Sequence, residues 1–261
     1  MTNPFLSIII PAFNENARII ATLKEIVDYL KEQCYTWEVL VVDDGSSDQT
    51  MSIVREWILN NTGVRLKAIP HAGKGWAVKH GMQAADGEYR FMCDADLPIS
   101  INTIETFLNQ INEGYDIVIG SRQIPGAQRF NEPLFRHIMG RLFNWSLKCL
   151  AFGGFQDTQC GFKCFRGDVA DELFALQKTK GWSFDVEILY LALKRKKKVL
   201  ELPIAWYHQE SSKVKPYIDP FLMIRDISLV RWHALRGQYG IATQGKAETT
   251  SDAPFSDNHL R

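Results

Sequence analysis

Leu6-Ser7-Ile8-Ile9-Ile10 opens the chain with an apolar run too short for a buried helix and closed by Pro11. A run of this kind reads as a strand covered on both faces. The period then changes, because residues 17–31 place Ile19, Leu23, Ile26, Val27 and Leu30 on one helical face. A second apolar run, Trp37–Val42, stops at Asp43-Asp44-Gly45-Ser46-Ser47-Asp48, where Ser47 or Asp48 is placed to cap the next helix. The alternation continues with a strand near Arg65–Ile69, a helix near Lys74–Ala85, a strand at Tyr89–Cys93, a helix at Ile101–Ile111 and a strand at Ile117–Gly120. Apolar strands separated by helices predict an α/β fold: a mostly parallel sheet sandwiched by helices. In such sheets ligands bind outside the carboxyl ends of the strands.

Those ends are polar here. Pro11-Ala12-Phe13-Asn14-Glu15 follows the first strand, Asp43-Asp44 the second, Asp94-Ala95-Asp96 the fourth and Gly120-Ser121-Arg122 the fifth. Asp and Asn favour turns in any protein, but four such ends on one rim point to a site. Asp94 and Asp96, one residue apart, suit a hard divalent ion that keeps waters and shares substrate phosphate oxygens. The acids at 43–48 suit a base or ribose. Gly73-Lys74-Gly75 opens a helix where backbone N–H groups and a lysine favour phosphate, without the spacing of a Walker loop.

The second half is less regular. Leu134–Phe152 reads as a long apolar helix whose Arg136, Gly140, Asn144 and Lys148 form one polar stripe. It is either a core helix or an interfacial one. Gln156–Phe165 reads as a loop into a short strand, Phe184–Leu193 as a helix, Val199–Ile204 as a strand and Phe221–Arg236 as a second interfacial helix. One domain over residues 1–240 is expected, with a disordered tail over 241–261. No stretch has the roughly 18 uninterrupted apolar residues of a membrane span. The five cysteines are odd in number and scattered, with no secretory leader before them, which points to a reducing compartment.

Net charge is zero, which gives no overall basic footprint for nucleic acid. The parts differ, however. Residues 1–120 carry 9 basic and 16 acidic side chains, and residues 121–240 carry 19 and 11. An acidic front half and a basic rear half point to anionic partners. Lys194-Arg195-Lys196-Lys197-Lys198 is either a solvated helix end or a patch for anionic lipid.

In order along the chain, Pro11–Glu15, Asp43–Thr50, Gly73-Lys74-Gly75-Trp76-Ala77, Asp94-Ala95-Asp96 and Gly120-Ser121-Arg122 resemble the GT-A-fold (Rossmann-like) family 2 glycosyltransferases. Asp157-Thr158-Gln159-Cys160-Gly161-Phe162-Lys163 and Phe184-Asp185-Val186-Glu187, followed by Leu202-Pro203-Ile204, narrow the resemblance to the polyprenyl- and dolichyl-phosphate sugar synthases. The resemblance covers about residues 5–235. It implies that Pro11, Glu15, Asp43 and Asp44 hold the base and ribose of a nucleotide sugar. Lys74 and Asp94 would contact the donor, and Asp96 with Asp94 would ligate Mg²⁺ or Mn²⁺ on the diphosphate. Arg122 and Arg136 would grip the lipid phosphate, and Ser212-Lys213 would close on the donor. Asp157 would orient groups or act as a base. The sequence departs from the branch at Pro98, where a glutamine is common, and at Gly140, where a serine is common.

The expected activity is inverting transfer of glucose from UDP-glucose to a polyprenyl or dolichyl phosphate, by a peripheral protein on the cytoplasmic face of a membrane. GDP-mannose as donor and a polysaccharide acceptor are the other readings; a donor-binding module without catalysis is a third. A phosphate monoester has a second pKa near 6 and is a ready nucleophile at neutral pH. The lipid acceptor therefore demands charge neutralisation rather than a strong base.

Overall fold

The computed structural model describes residues 3–131, 154–208 and 219–240. Nine strands follow in chain order among these residues: β1 (Leu6–Ala12), β2 (Trp37–Asp43), β3 (Val64–Ala68), β4 (Tyr89–Met92), β5 (Ile117–Ser121), β6 (Gln128–Phe130), β7 (Lys163–Arg166), β8 (Val199–Pro203) and β9 (Ala205–Tyr207). The helices are α1 (Ile19–Lys31), α2 (Thr50–Ile58), α3 (Lys74–Ala84), α4 (Ile104–Asn112, entered through a 3-10 turn at Ile101–Thr103), α5 (Gly167–Leu176), α6 (Phe184–Lys194) and α7 (Asp219–Leu235). The expected α/β alternation is present, and each predicted strand of the first 120 residues forms.

Seven strands make one sheet in the order β3-β2-β1-β4-β7-β5-β8. The pairs β1–β2, β1–β4, β2–β3 and β5–β8 are parallel, whereas β7 runs antiparallel to both β4 and β5. That reversal matters for the site. The amino end of β7 lies beside the carboxyl ends of its neighbours, with Lys163 opposite Met92 and Ile119.

Alternate residues of β1 point to opposite sides. Ile8 and Ile10 enter a core with α1 and α4, and Ile9 enters a second core with α3, α5 and α6. Burial on both faces is why the strand reads as an unbroken apolar run. Helix α3 lies very close to the sheet, since a Cβ on Gly81 would stand 2.4 Å from Ile9 Cγ2 and 3.0 Å from Val42 Cγ2.

Helix α7 occupies the predicted Phe221–Arg236 region. Ile227 and Val230 are buried, whereas Leu229, Trp232 and Leu235 are exposed, and the Arg236 guanidinium stacks 3.8 Å from the Trp232 ring. Among the described residues no helix is long and apolar enough to cross a membrane. The basic run at 194–198 ends α6, where Arg195 and Lys197 both pair with Glu172, at 3.4 and 2.7 Å. Two of its five charges thus serve the fold. The predicted helix Leu134–Phe152, Arg136, Ser212, Lys213 and the tail 241–261 lie outside the described residues.

The close approach at Gly81 sets a packing test. Gly81→Val should cost about 1–3 kcal/mol by overpacking, read as a lower urea midpoint with an unchanged slope.

Candidate active site

The first two strand ends are laced together. Asp44 N donates to Ala12 O at 2.8 Å, Asn14 Oδ1 accepts from Ser47 N at 2.8 Å, and Glu15 N donates to Thr50 Oγ1 at 2.7 Å. Asn14 holds a left-handed φ of 53°, which asparagine tolerates better than most residues. Gln49, rather than the expected Ser47 or Asp48, is the N-cap of α2, and Asp48 one residue earlier accepts from Thr50 N at 2.9 Å.

Asp43 and Asp44 have different tasks despite being adjacent. Asp43 Oδ2 accepts from Ser46 N at 3.1 Å, while its Oδ1 is buried with no hydrogen-bond partner. An unsatisfied buried acceptor is costly and suits a ligand donor. The Asp44 carboxylate instead accepts from Ala72 N and Gly73 N, each at 2.9 Å, and its Oδ2 lies 2.9 Å from His71 Nδ1, which also stands 3.0 Å from Asp44 O. Its carboxylate holds the loop before α3, and the His71 ring stacks on Phe13 at 4.2 Å.

Lys74 and Asp94 meet at the centre of the rim. Lys74 Nζ lies 2.5 Å from Asp94 Oδ1 and 5.3 Å from the Trp182 ring centroid. Asp94 is also pressed against Gly161, where a Cβ would stand 2.0 Å from Oδ2. Only glycine leaves room there. Burial raises the Asp94 carboxyl, but the Lys74 charge, with Lys163 and Arg122 behind it, leaves it below the usual carboxylate range. Asp96 goes the other way: burial first, then the Asp94 charge, push it up to about 6. Arg18 Nη1 lies 3.8 Å from Asp96, and Arg18 also pairs with Glu15. Helix α1 holds the intervening backbone through Thr22 Oγ1, which donates to Ala95 O at 2.7 Å.

Arg122 and Asp157 form a bidentate pair. Arg122 Nε and Nη2 donate to Asp157 at 2.6 and 2.9 Å, and Arg122 N donates at 3.0 Å. Asp157 is fully buried, and Glu201 accepts from its backbone N–H at 2.9 Å. Burial alone would raise the Asp157 carboxyl, but Arg122 brings it down to about 2. A carboxylate so held is a poor proton acceptor near neutral pH. The Arg122 guanidinium also lies 5.5 Å from the Trp206 ring centroid on β9.

Several site residues carried no expectation. Arg18 stands at the entry to α1, where the helix dipole disfavours a cation, and that conflict was its signal. Lys163 is a lysine in an apolar strand, 1% exposed, pairing with Asp185 at 2.6 Å and donating to Cys160 O. Pro11 lies in β1 opposite Val42, one residue before the β1–β2 pairing ends at Ala12 and Asp43. The rim thus brings together Pro11, Glu15, Asp43, Asp44, Lys74, Asp94, Asp96, Arg122 and Asp157.

A model of glycosyl transferase family 2 matches residues 7–174. The chain belongs to glycosyl transferase family 2. Its relatives include dolichyl-phosphate beta-glucosyltransferases. That of Dictyostelium discoideum is 33% identical over 92% of this chain and 77% of its own length. That of Saccharomyces cerevisiae is 32% identical over 90% and 76%, and the human one 30% identical over 90% and 77%. Among solved structures, glucosyl-3-phosphoglycerate synthase from Mycobacterium tuberculosis with phosphoglyceric acid superposes with a TM-score of 0.66 at 18% identity, covering 93% of this chain and 82% of that one. The same synthase with Mn²⁺, uridine-diphosphate and glucosyl-3-phosphoglycerate gives 0.63. The family 2 chain shares their GT-A fold.

Two predictions follow from this geometry. Gly161→Ala should displace the Asp94 carboxylate from its pairing with Lys74 and cost about 1–3 kcal/mol by overpacking, read as a lower Tm with unchanged far-ultraviolet circular dichroism. Asp157 has a folded pKa of about 2, below its unfolded value of about 3.9. Its pairing therefore stabilises fully above the unfolded value and is lost as pH falls through the folded one. Asp157→Asn should lower Tm near neutral pH, and the gap to wild type should close as pH drops from about 4 towards 2.

Proposed function

We propose that this chain transfers glucose from UDP-glucose to dolichyl or a related polyprenyl phosphate, with inversion, at a membrane surface. The observation that carries this reading is the extent of the match to dolichyl-phosphate beta-glucosyltransferases. It spans 92% of the chain, well beyond the family domain, which ends at residue 174. A family domain alone does not name an acceptor.

The rim supplies the parts for this reaction. The unpartnered Oδ1 of Asp43 offers an acceptor to an N–H or O–H of the nucleoside, and Pro11 on the neighbouring strand and Glu15 are assigned to the same group. Asp44 serves the donor indirectly by holding the loop that leads to Lys74. Among the described residues no group of three or more potential ligands gathers, so Asp94 and Asp96 would hold Mg²⁺ or Mn²⁺ together with diphosphate oxygens and water. The raised Asp96 carboxyl beside ionised Asp94 suits a cation between them. When bound, the metal supplies positive charge to the leaving diphosphate. Lys74 adds its own.

Arg122, aimed by Asp157, meets the acceptor phosphate, with Arg136 as a second grip and Ser212-Lys213 closing on the donor. The phosphate is already a nucleophile at neutral pH and attacks the anomeric carbon opposite the leaving group. The protein's task is orientation and charge stabilisation. The exposed Leu229, Trp232 and Leu235 of α7, with Arg231 and Arg236, suit a headgroup boundary. We place this face on the cytoplasmic side.

The test is a matrix of UDP-glucose and GDP-mannose against dolichyl phosphate in vesicles and soluble glucan acceptors. The expected product is glucosyl-phosphodolichol from UDP-glucose only. Mannosyl product, or transfer to glucan alone, would overturn the reading. Asp96→Ala and Arg122→Ala should each cost about 10²–10³ in kcat, the scale for losing one charge-stabilising group.

A further inference from the structure

Glu187 is fully buried, and no step of the reaction uses it. Its carboxylate is nonetheless heavily engaged. Oε1 accepts from Lys178 N at 3.0 Å and Tyr239 Oη at 2.6 Å, and Oε2 accepts from Thr179 N at 2.7 Å. Two of these donors belong to one loop, residues 177–182, between α5 and α6. The third comes from the segment after α7.

The far side of that loop grips the start of α3. Trp76 N donates to Lys180 O at 3.0 Å, and Gln177 Nε2 donates to Gly75 O at 2.8 Å. The two glycines flanking Lys74 are in contact with it. A Cβ on Gly73 would stand 2.7 Å from Lys180 O, and one on Gly75 would stand 2.7 Å from Gly181 O and 2.6 Å from Phe184 Cβ. Gly73 also holds φ 116°, which residues with a side chain rarely adopt. Trp182 of the same loop lies beneath the Lys74 ammonium. With backbone in contact on both sides of Lys74, a shift of the loop is a shift of Lys74.

We infer that Glu187 and Tyr239 form a latch that positions Lys74 on the donor diphosphate through the 177–182 loop. The inference rests on the reading of Lys74 as a diphosphate ligand. Tyr239 is fully buried and Arg195 Nη2 donates to its carbonyl at 3.1 Å, so the tyrosine is fixed from behind. A second tie runs in parallel, from Ser183 Oγ to Asp226 Oδ2 of α7 at 3.3 Å. Helix α7 is thereby part of the frame of the donor site. Glu187 and Tyr239 are positioning residues, not catalytic ones.

Removing the tyrosine hydroxyl takes one donor from a buried carboxylate and leaves the ring in place. The test is a double-mutant cycle on Mn²⁺-dependent UDP binding, read by calorimetry for wild type, Tyr239→Phe, Lys74→Met and the double variant, with uridine as a control lacking phosphate. Tyr239→Phe should weaken UDP binding roughly tenfold, within the range for residues that act through one another. It should leave uridine binding unchanged and add nothing in the Lys74→Met background. Equal weakening in both backgrounds, or parallel loss of uridine binding, would overturn the latch. If Tyr239→Phe does not fold, Gln177→Met, which removes the bond to Gly75 O, enters the same cycle with the same expectations. Wild type that binds no UDP with Mn²⁺ would overturn the donor reading itself, a result separate from either latch outcome.

Discussion

The Asp94 carboxylate is held from two directions at once, by the Lys74 ammonium and by a glycine backbone that admits no side chain. Lys74 comes from α3, Asp94 from the end of β4 and Gly161 from the approach to β7. Gly161 could not join the other two in a sheet with all strands parallel, because the residues before β7 would then lie at the opposite edge. The antiparallel insertion of β7 between β4 and β5 delivers Gly161, Lys163 and the Asp157 loop to the rim where the donor acids already stand. Five carboxylates (Glu15, Asp94, Asp96, Asp157, Asp185) then face four cations (Arg18, Lys74, Arg122, Lys163). Burying charge is tolerable only when it is paired and hydrogen-bonded, so removing one member unbalances the rest.

That balance divides the work of the reaction. In the proposed reaction the Lys74 side meets a leaving group that gains negative charge. In the same proposal the Arg122 side meets a nucleophile that arrives with that charge. Asp157 is the carboxylate that the sequence offers as a base, but three hydrogen bonds from Arg122 tie it to that residue. An acceptor that is already ionised makes such an arrangement sufficient. A sugar hydroxyl acceptor would have to give up a proton, and Asp157, brought down to about 2, is a poor acceptor for it.

Much of the rim was legible in the sequence because parallel strands put their carboxyl ends, and whatever follows them, on one side. Asp43, Asp94, Asp96 and Arg122 are all found by that rule. The side chains that support them are not, because they act across long sequence separations. Lys163 meets Asp185 twenty-two residues later, and Glu187 meets Tyr239 fifty-two residues later. Asp44 looks like a twin of Asp43, yet the loop at 71–73 claims its carboxylate. Helix α5 and the small β6–β9 sheet drew no expectation, since a glycine start and three-residue strands carry little periodicity. The conflicts were readable in principle: a lysine inside an apolar strand and an arginine at a helix entry mark places where local preference yields to the site.

The central claim is that the acceptor phosphate brings its own ionisation and that Asp157 does not act as a general base. The pH dependence of transfer from UDP-glucose tests it, with dolichyl phosphate compared with its phosphonate analogue, whose second ionisation is higher. The account predicts one rising limb near pH 6 for the phosphate, at about its second pKa, and displacement of that limb upwards with the phosphonate. A limb that stays at the same pH for both acceptors would belong to a group on the enzyme and would contradict it.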